Sequence, residues 1–498
     1  MVISKKFLVF GGVAIVAMLF VTFFSYTTSP LYHSAGDTPD SPIFQIIGKY
    51  WAEGAVPYRD LWDLKGPFIF FMNAIGYWLT GSSLGVWLLQ VLCMAVTIYA
   101  LLKISTLQQF NTSTIQQFNS STIQQISPST FLLVLLSLAG LSYMYEGGNL
   151  TEEYVLPLLS WSFYAIFVWL KGYTETGMAR HRPAVTILYG ATFGLCLMSR
   201  LTNALALCGA IMVITVVLLK DKNYRNLLVN AAAFLAGFSL TTLPFFLYFH
   251  LHHALGEMWN ATFVYAVEYA GNSSLTAHHP SPITHLHYFL LSYIGSILLL
   301  CVILYKAVST RCFDVSFWMW TMSAGLPLVW FCQGNGFGHY GMTVFPLLVI
   351  ALMEIERLHL AKLRIVIVAL LLLGCASKVR HLIHLATIQR INNSTLQHIN
   401  ISTSPLRSSF VAYNCDPRLY LDEDIRPAVP FFALQDFAVS RNPLLREHVI
   451  NAFMEKKPQW ILLSYDSDET TVIRDVLEQY YTPVATDEEH HLRLLRLK

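Results

Sequence analysis

Between Arg59 and Lys65 the chain places two cations and two carboxylates in one short run, Pro57-Tyr-Arg-Asp-Leu-Trp-Asp-Leu-Lys-Gly-Pro67. Acids and bases that close, set among Trp, Gly and Pro that stiffen a turn, look more like a chemical site than a snorkelling fringe. Just upstream, Asp40 precedes Ile43, Phe44, Ile46, Ile47, Tyr50 and Trp51. That spacing predicts an amphipathic helix with one apolar face, suited to lying in the headgroup region of a bilayer. A carboxylate at a helix N-terminus is favoured in its charged form by the helix dipole. Two plainer readings stand beside these. Asp40 could simply cap its helix, and Lys65 and Arg59 could touch lipid phosphates.

Three further stretches carry groups able to do chemistry. Gly147-Gly-Asn-Leu-Thr-Glu-Glu-Tyr154 brings the adjacent acids Glu152 and Glu153 to the start of an apolar run. Met198-Ser-Arg-Leu-Thr-Asn203 puts Arg200 between two apolar runs that almost touch, and Gly338-His339-Tyr340 is followed by Pro346. The plainer alternatives are first-turn acids favoured by a helix dipole, an arginine that snorkels and a packed interfacial histidine. Ionisable groups at membrane depth are costly and usually functional, so their sidedness matters.

The elements that must position these residues are membrane spans. Of 498 residues 55% are hydrophobic and 12% charged, with a mean hydropathy of +0.50. An ordinary soluble chain is about 25% charged, so the solvent for this much apolar surface must be lipid. With 32 basic and 30 acidic residues the net charge is +2, which points to no nucleic-acid partner. The eight cysteines show no CxxC or CxxxH spacing, against a disulfide framework or a zinc site.

Lys5-Lys6 followed by apolar sequence from Phe7 to about Tyr26 predicts an uncleaved first span, entered from the cytoplasm. Further spans are expected near 84–102, 130–147, 153–171, 184–200, 202–219, 227–250, 284–305, 313–332, 340–354 and 363–377, about eleven in all. Loop charges support this threading. Lys103, Lys171, Arg180, Arg182, Lys220, Lys222, Arg225, Lys306, Arg311, Arg357, Lys362 and Arg364 fall on the N-terminal side. The loops 27–83, 146–153, 251–283 and 333–339, which hold the chemically competent residues, fall on the other. Lys378 and Arg380, after a short last span, run against the pattern.

Phe68–Leu79 is apolar but too short to cross comfortably and is expected to be interfacial; as a span it would invert the remainder of the chain. The Ser-, Thr-, Asn- and Gln-rich repeats in a cytoplasmic loop (105–129) and near 387–404 cannot bury a face, and the second belongs to an expected low-complexity linker over 378–413. From about 414 to 498 the sequence becomes water-compatible, with a strand over Trp460–Ser464 and helices near 443–455 and 468–480, predicting a small soluble α/β domain after a transmembrane domain over 1–377.

The run from Asp40 through the helix 43–53 to Gly54-x-x-Pro57-Tyr58-Arg59-Asp60-Leu61-x-x-x-Lys65-Gly66-Pro67 resembles bacterial GT-C type polytopic glycosyltransferases of glycosyltransferase family 39. These are related to protein O-mannosyltransferases and the lipid A aminoarabinose transferase. The resemblance is specific over about 45 residues around this run, reasonable for the spans as far as 354 and weak for the C-terminal appendage. It implies an all-α polytopic fold of GT-C architecture in the bacterial inner membrane, with the N-terminus cytoplasmic and the active site and C-terminal α/β domain extracytoplasmic.

It also implies an enzyme that moves a sugar from a polyprenyl-phosphate donor to an acceptor hydroxyl of a lipid, glycan or protein, with inversion. In that reading Asp40, with Asp37 as second choice, takes the acceptor proton. Lys65 leads the cations that hold the departing phosphate, helped by Arg59, Arg200 and His339. Glu152, Glu153, Asp63, Tyr58, Asn203 and Tyr340 orient substrate. Asp37 and Asp40 are separated by Thr and Pro rather than by one residue, so no obligatory metal is expected. A glycan polymerase or ligase, or a lipid-linked sugar flippase, would also be polytopic but should place charges within the spans; here they are few, Asp314 lying near an inner end. An inactive scaffold would not need Asp40 and Lys65.

Overall fold

The computed structural model describes residues 5–31, 40–107, 128–268, 289–331, 337–389, 409–464 and 471–498. Asp37 and the repeat region 108–127 lie outside them. Among the described residues, seven helices are long and apolar enough to cross a membrane, and Ser129–Met144, Pro183–Leu197 and Ile294–Thr310 are shorter apolar helices. Among the described residues, each range expected as a span falls largely on a helix; residues 284–288 of one range lie outside them. The last runs over Ala361–Gln389, well past 377, so the apparent shortness of that span disappears. The chain is mostly helical, with a small sheet near its C-terminus, and divides into two compact units.

The first unit holds the described residues of 1–25, 87–245 and 278–382. Its centre is helix Phe345–Arg357, in which every residue from Phe345 to Ile355 is buried. Helix Ile294–Thr310 reaches it through Gly295, where an added Cβ would lie 2.9 Å from the Leu348 backbone nitrogen. Helices Leu205–Lys220 and Val315–Phe331 meet where Gly209 faces the Met322 carbonyl. Small residues let backbones approach in lipid, where packing rather than water exclusion drives helix association. Leu228, Leu235 and Leu240 on helix Tyr224–Leu251 remain more than 60% exposed. A surface of that kind suits acyl chains and not water.

The second unit holds the described residues of 26–86, 246–277 and 383–498. Helix Asp40–Ala52 packs on helix Pro67–Thr80, with Gly48 so close to Asn73 that a Cβ would come within 2.4 Å of the Asn73 Cβ. The apolar face of the first helix is therefore buried in protein: Ile43, Phe44, Ile46, Ile47 and Tyr50 are covered, and Phe44 meets Phe70. This corrects the expectation that this face lies among headgroups. The outward apolar side chains belong to the partner helix, at Phe71, Trp78 and Leu79. That helix starts with Pro67 and ends at Gly81 in the left-handed conformation, and its 14 residues span only about 21 Å, short of a ~30 Å hydrocarbon core.

The sheet has strand order β1-β2-β4-β3, with β1 Phe410–Tyr413, β2 Trp460–Ser464, β3 Tyr481–Asp487 and β4 Leu492–Leu497. β1 and β2 pair in parallel across a helical crossover that includes Leu445–Lys456; β4 runs antiparallel to both neighbours. Val411, Tyr413, Val449, Phe453 and Ile461 centre its core. The strand expected at Trp460–Ser464 is present, and the expected helices become Leu445–Lys456 and Arg474–Tyr480. The sheet region is fastened to the early loop of its own unit. The Trp62 amide donates to the Pro430 carbonyl at 2.9 Å, the Trp62 ring packs on Phe431, and Lys49 pairs with Asp424.

Candidate active site

Within the second unit the loop 54–66 is a closed structure. The Val56 amide donates to Asp60 Oδ2 at 2.7 Å, the Asp60 amide returns to the Val56 carbonyl, and the Tyr58 amide donates to the Leu61 carbonyl. Tyr58 has φ +71°, a region that side chains rarely adopt unless the surroundings impose it. Its ring is buried between Phe70 and Phe249, and its hydroxyl donates to the Lys65 carbonyl at 2.8 Å while accepting from the Thr262 hydroxyl at 3.3 Å. The Lys65 amide in turn donates to Asp63 Oδ1 at 2.8 Å. The loop thus delivers Lys65 Nζ to 3.7 Å from Asp40 Oδ2 at the first turn of the neighbouring helix. That separation is too long for a hydrogen bond and short enough for strong mutual attraction, with both side chains still reachable from solvent.

Asp63 is hemmed in by protein although a part of it stays accessible. Burial pushes its carboxyl up to about 6, against the pull of Lys65 and its amide, and the nearby Asp40 adds to the rise. Asp60 moves the other way. Burial raises it, but the Arg59 guanidinium and the Val56 amide more than offset this and leave it below the usual carboxylate range. Arg59 forks onto Asp60 at 3.0 and 3.2 Å and donates to the His252 carbonyl. Of the two cations in the loop, Arg59 is therefore held by its neighbour in sequence, and Lys65 faces Asp40.

The first unit contains a second polar cluster. Its two adjacent acids, at the start of helix Thr151–Thr176, have different surroundings. The Glu153 carboxylate accepts from Gln90 Nε2 at 2.9 Å, from the Asn149 amide at 2.7 Å, from the Leu150 amide and from the Tyr145 hydroxyl. It closes the helix start in the manner of a capping box. Glu152 is fully buried; Thr151 donates to its Oε2 at 2.8 Å, while its Oε1 lies 3.6 Å from Arg200 Nη1 and has no hydrogen-bond partner among the described residues. The Arg200 guanidinium sits 3.2 Å above the Tyr340 ring. Thr202 Oγ1 and Asn203 Nδ2, on the 3-10 turn after Arg200, are buried without a hydrogen-bond partner among the described residues.

His339 Nδ1 meets Glu146 Oε2 at 2.6 Å. Burial raises the Glu146 carboxyl, but His339 outweighs it and holds the group below its ordinary value. The turn Gly338–Val344 fits here because Gly341 lies against the Ser292 carbonyl, where a Cβ would come within 2.0 Å. Tyr293 stacks on Phe331, which stacks on Tyr340. Its buried hydroxyl has no hydrogen-bond partner among the described residues and feels the charges of Arg200, Glu152 and Glu146.

The structure thus groups Asp40, Lys65, Asp63 and Tyr58 in one unit, with Arg59 at the edge, and Glu152, Arg200, Asn203, His339 and Tyr340 in the other. Asp37 lies outside the described residues. Glu146 and Tyr293 were not singled out in the sequence. Glu146 had a readable signal, a carboxylate next to Gly147-Gly148, whereas Tyr293 lies in an apolar run with no local mark. Among the described residues no three of His, Cys, Asp and Glu come together as a metal-binding group.

No protein-family model matches this sequence, and no curated protein does. Among solved structures it is similar to the crystal structure of ArnT from Cupriavidus metallidurans bound to undecaprenyl phosphate. The TM-score is 0.59 at 15% identity, over 98% of this chain and 97% of that one. An Archaeoglobus fulgidus oligosaccharyltransferase in complex with Zn and sulfate aligns with a TM-score of 0.40 at 12% identity, over 91% and 68% of the two chains. The fold is accordingly of the ArnT-like GT-C type, a polytopic helical membrane protein with a small C-terminal sheet.

Proposed function

We propose that this chain is an integral-membrane glycosyltransferase that moves a sugar from a polyprenyl-phosphate donor to an acceptor hydroxyl. The reaction takes place at the extracytoplasmic face of the bacterial inner membrane, with inversion at the anomeric carbon; the acceptor is a lipid, a glycan or a protein. The observation that carries this reading is the Asp40–Lys65 pair, a carboxylate and an ammonium 3.7 Å apart and both partly open: the ammonium comes from a loop closed by Tyr58 and Asp63, the carboxylate from the first turn of helix Asp40–Ala52. The ArnT-like fold supports it, and the similar crystal structure holds undecaprenyl phosphate.

In this reading Asp40 accepts the proton of the acceptor hydroxyl as its oxygen bonds to the anomeric carbon. The bond from that carbon to the phosphate oxygen breaks, its electron pair stays on the phosphate, and Lys65 donates to the oxygen that gains charge. Polyprenyl phosphate and the glycosylated acceptor are the products. Asp63 and Tyr58 position Lys65. In the other unit, Glu152, Thr202, Asn203 and Tyr293 offer a hydroxylated substrate atoms that find no hydrogen-bond partner among the described residues, because buried polar atoms are rarely left without partners. Arg200 and His339, each beside a carboxylate, are charge-neutralised sites that an anionic substrate can still polarise. The C-terminal sheet region, fastened to the early loop, is assigned to acceptor recognition.

Asp40→Asn in membranes supplied with a polyprenyl-phosphate sugar is expected to abolish transfer while the protein keeps its level and its elution in detergent. Full transfer by that variant overturns the assignment of Asp40 as the base.

A further inference from the structure

Helix Thr151–Thr176 is about 39 Å long, so its two ends fall on opposite sides of a ~30 Å hydrocarbon core. Glu152 marks one end. The other end borders a cavity of about 1180 Å³, completed by the loop 177–182 and the first turns of helices Pro183–Leu197 and Tyr224–Leu251. Arg180, Arg182 and Arg225 line it, and among the described residues no Asp or Glu does. None of the three arginines pairs with a carboxylate among the described residues.

The loop carrying two of these arginines is pinned by Asn223, just before helix Tyr224–Leu251, and by Asn226 and Asn230 within it. Asn223 Nδ2 donates to the Ala179 carbonyl at 3.0 Å, and Asn226 both accepts from the His181 amide at 2.9 Å and donates to the His181 carbonyl at 3.0 Å. Asn230 adds a donor to the same carbonyl at 3.2 Å. The helix behind is close, because Gly190 and Gly237 let helices Pro183–Leu197 and Tyr224–Leu251 touch backbone to backbone. His181 is buried against Thr186 and Tyr189, and burial pushes it down to about 4. At neutral pH the positive charge of the cavity therefore comes from the arginines.

The remaining wall is apolar and aromatic. The Trp169 and Tyr173 rings stack at 5.4 Å, flanked by Val168 and Val229. Guanidinium groups that share a cavity with aromatic and aliphatic side chains, at the end of membrane-spanning helices, match the two halves of a phospholipid. Phosphate takes the planar donors of arginine, and an acyl chain takes the wall; a free phosphate would leave the wall bare. We propose that this cavity binds an anionic phospholipid, its headgroup phosphate among Arg180, Arg182 and Arg225 and one acyl chain along Trp169 and Tyr173. The site lies at the far end of the helix from Glu152, and its existence does not depend on the transfer reaction.

The test uses the purified full-length protein in mixed micelles containing phosphatidylglycerol or phosphatidylcholine, with bound lipid quantified after gel filtration. Phosphatidylglycerol is expected to be retained over phosphatidylcholine. Arg180→Gln, Arg182→Gln and Arg225→Gln should each weaken retention about fivefold, and all three together roughly a hundredfold. Arg311→Gln, outside the cavity, should retain lipid as the unaltered chain does. The single variants keep the test decisive should the triple variant not fold. Equal retention of the two lipids, or undiminished phosphatidylglycerol retention in the arginine variants, overturns the proposal. Complete displacement of the lipid by millimolar inorganic phosphate also overturns it, since the cavity would then be a free-phosphate site.

Discussion

The Tyr58 hydroxyl donates to the Lys65 carbonyl at 2.8 Å, seven residues along the chain, from a tyrosine held at φ +71°. That single bond ties the strained start of the loop to the residue proposed to meet the donor phosphate. The strain is sustained because the ring is clasped by Phe70 and Phe249 and the Tyr58 amide is satisfied by Leu61. Strain of this type persists only where the surroundings over-determine it.

Tyr58→Phe keeps the ring and removes the bond. Stability should fall by about 1 kcal/mol, seen as a lower melting temperature in detergent. Transfer should fall about tenfold, mostly in kcat, because the ammonium is displaced from its working position rather than lost. A variant with unchanged kcat would detach Tyr58 from the chemistry.

Asp63 makes a pH prediction with a definite sign. Its carboxyl is raised from 3.8 to about 6, so between those values the folded protein keeps a proton that the unfolded chain has released. Stability therefore declines as pH rises across that window and is level above it. If the ionised form holds the Lys65 amide in place, kcat/KM should fall as pH drops below about 6. Asp63→Asn can still accept the amide hydrogen bond, so its acidic limb should move to lower pH; an unshifted limb would assign that titration to another group.

Glu152 and Glu153 are neighbours with opposite expectations. Glu153→Gln disturbs a buried acceptor of hydrogen bonds from Gln90, Asn149, Leu150 and Tyr145. It should cost about 2–4 kcal/mol in stability, read by thermal unfolding. Glu152→Gln should leave the melting temperature nearly unchanged and raise KM for a hydroxylated substrate about tenfold or more. The reverse pattern would exchange the roles.

The His339–Glu146 contact is a local stability element. Because Glu146 is held below its ordinary value of 4.5, its contribution is present above 4.5 and is lost as pH falls through the lower native value. His339→Gln should cost about 1–3 kcal/mol near neutral pH, and the loss should shrink as the pH is lowered below 4.5. A deficit that stays constant with pH would rule out the ionised Glu146 as its source.

Much of this architecture is legible in the amino-acid order because lipid imposes a coarse rule: apolar runs of sufficient length become helices, and their backbones must satisfy themselves. Among the described residues the expected spans fall largely on helices for that reason, and the strand Trp460–Ser464 follows from a short apolar run bounded by polar residues. The last helix was underestimated because Lys378, Arg380 and His381 broke the hydropathy pattern while helical propensity carried on to Gln389. The face of helix Asp40–Ala52 was recognised as apolar, but its destination was not, since a hydrophobic stripe does not say whether it meets lipid or protein. Gly48 opposite Asn73 settles that, and no local pattern announces it.

The sequence by itself determined the solvent, the helices and the short run that holds Asp40, Asp63 and Lys65, because these depend on composition and near-neighbour spacing. Tertiary structure alone decided which of two adjacent glutamates is saturated, that Glu146 meets His339 across 193 residues, and that Tyr293 belongs with Tyr340. It also decided that three arginines without carboxylate partners among the described residues share one cavity. Those facts depend on how distant helices pack and on which polar atoms that packing leaves unsatisfied, and neither is a property of any one segment.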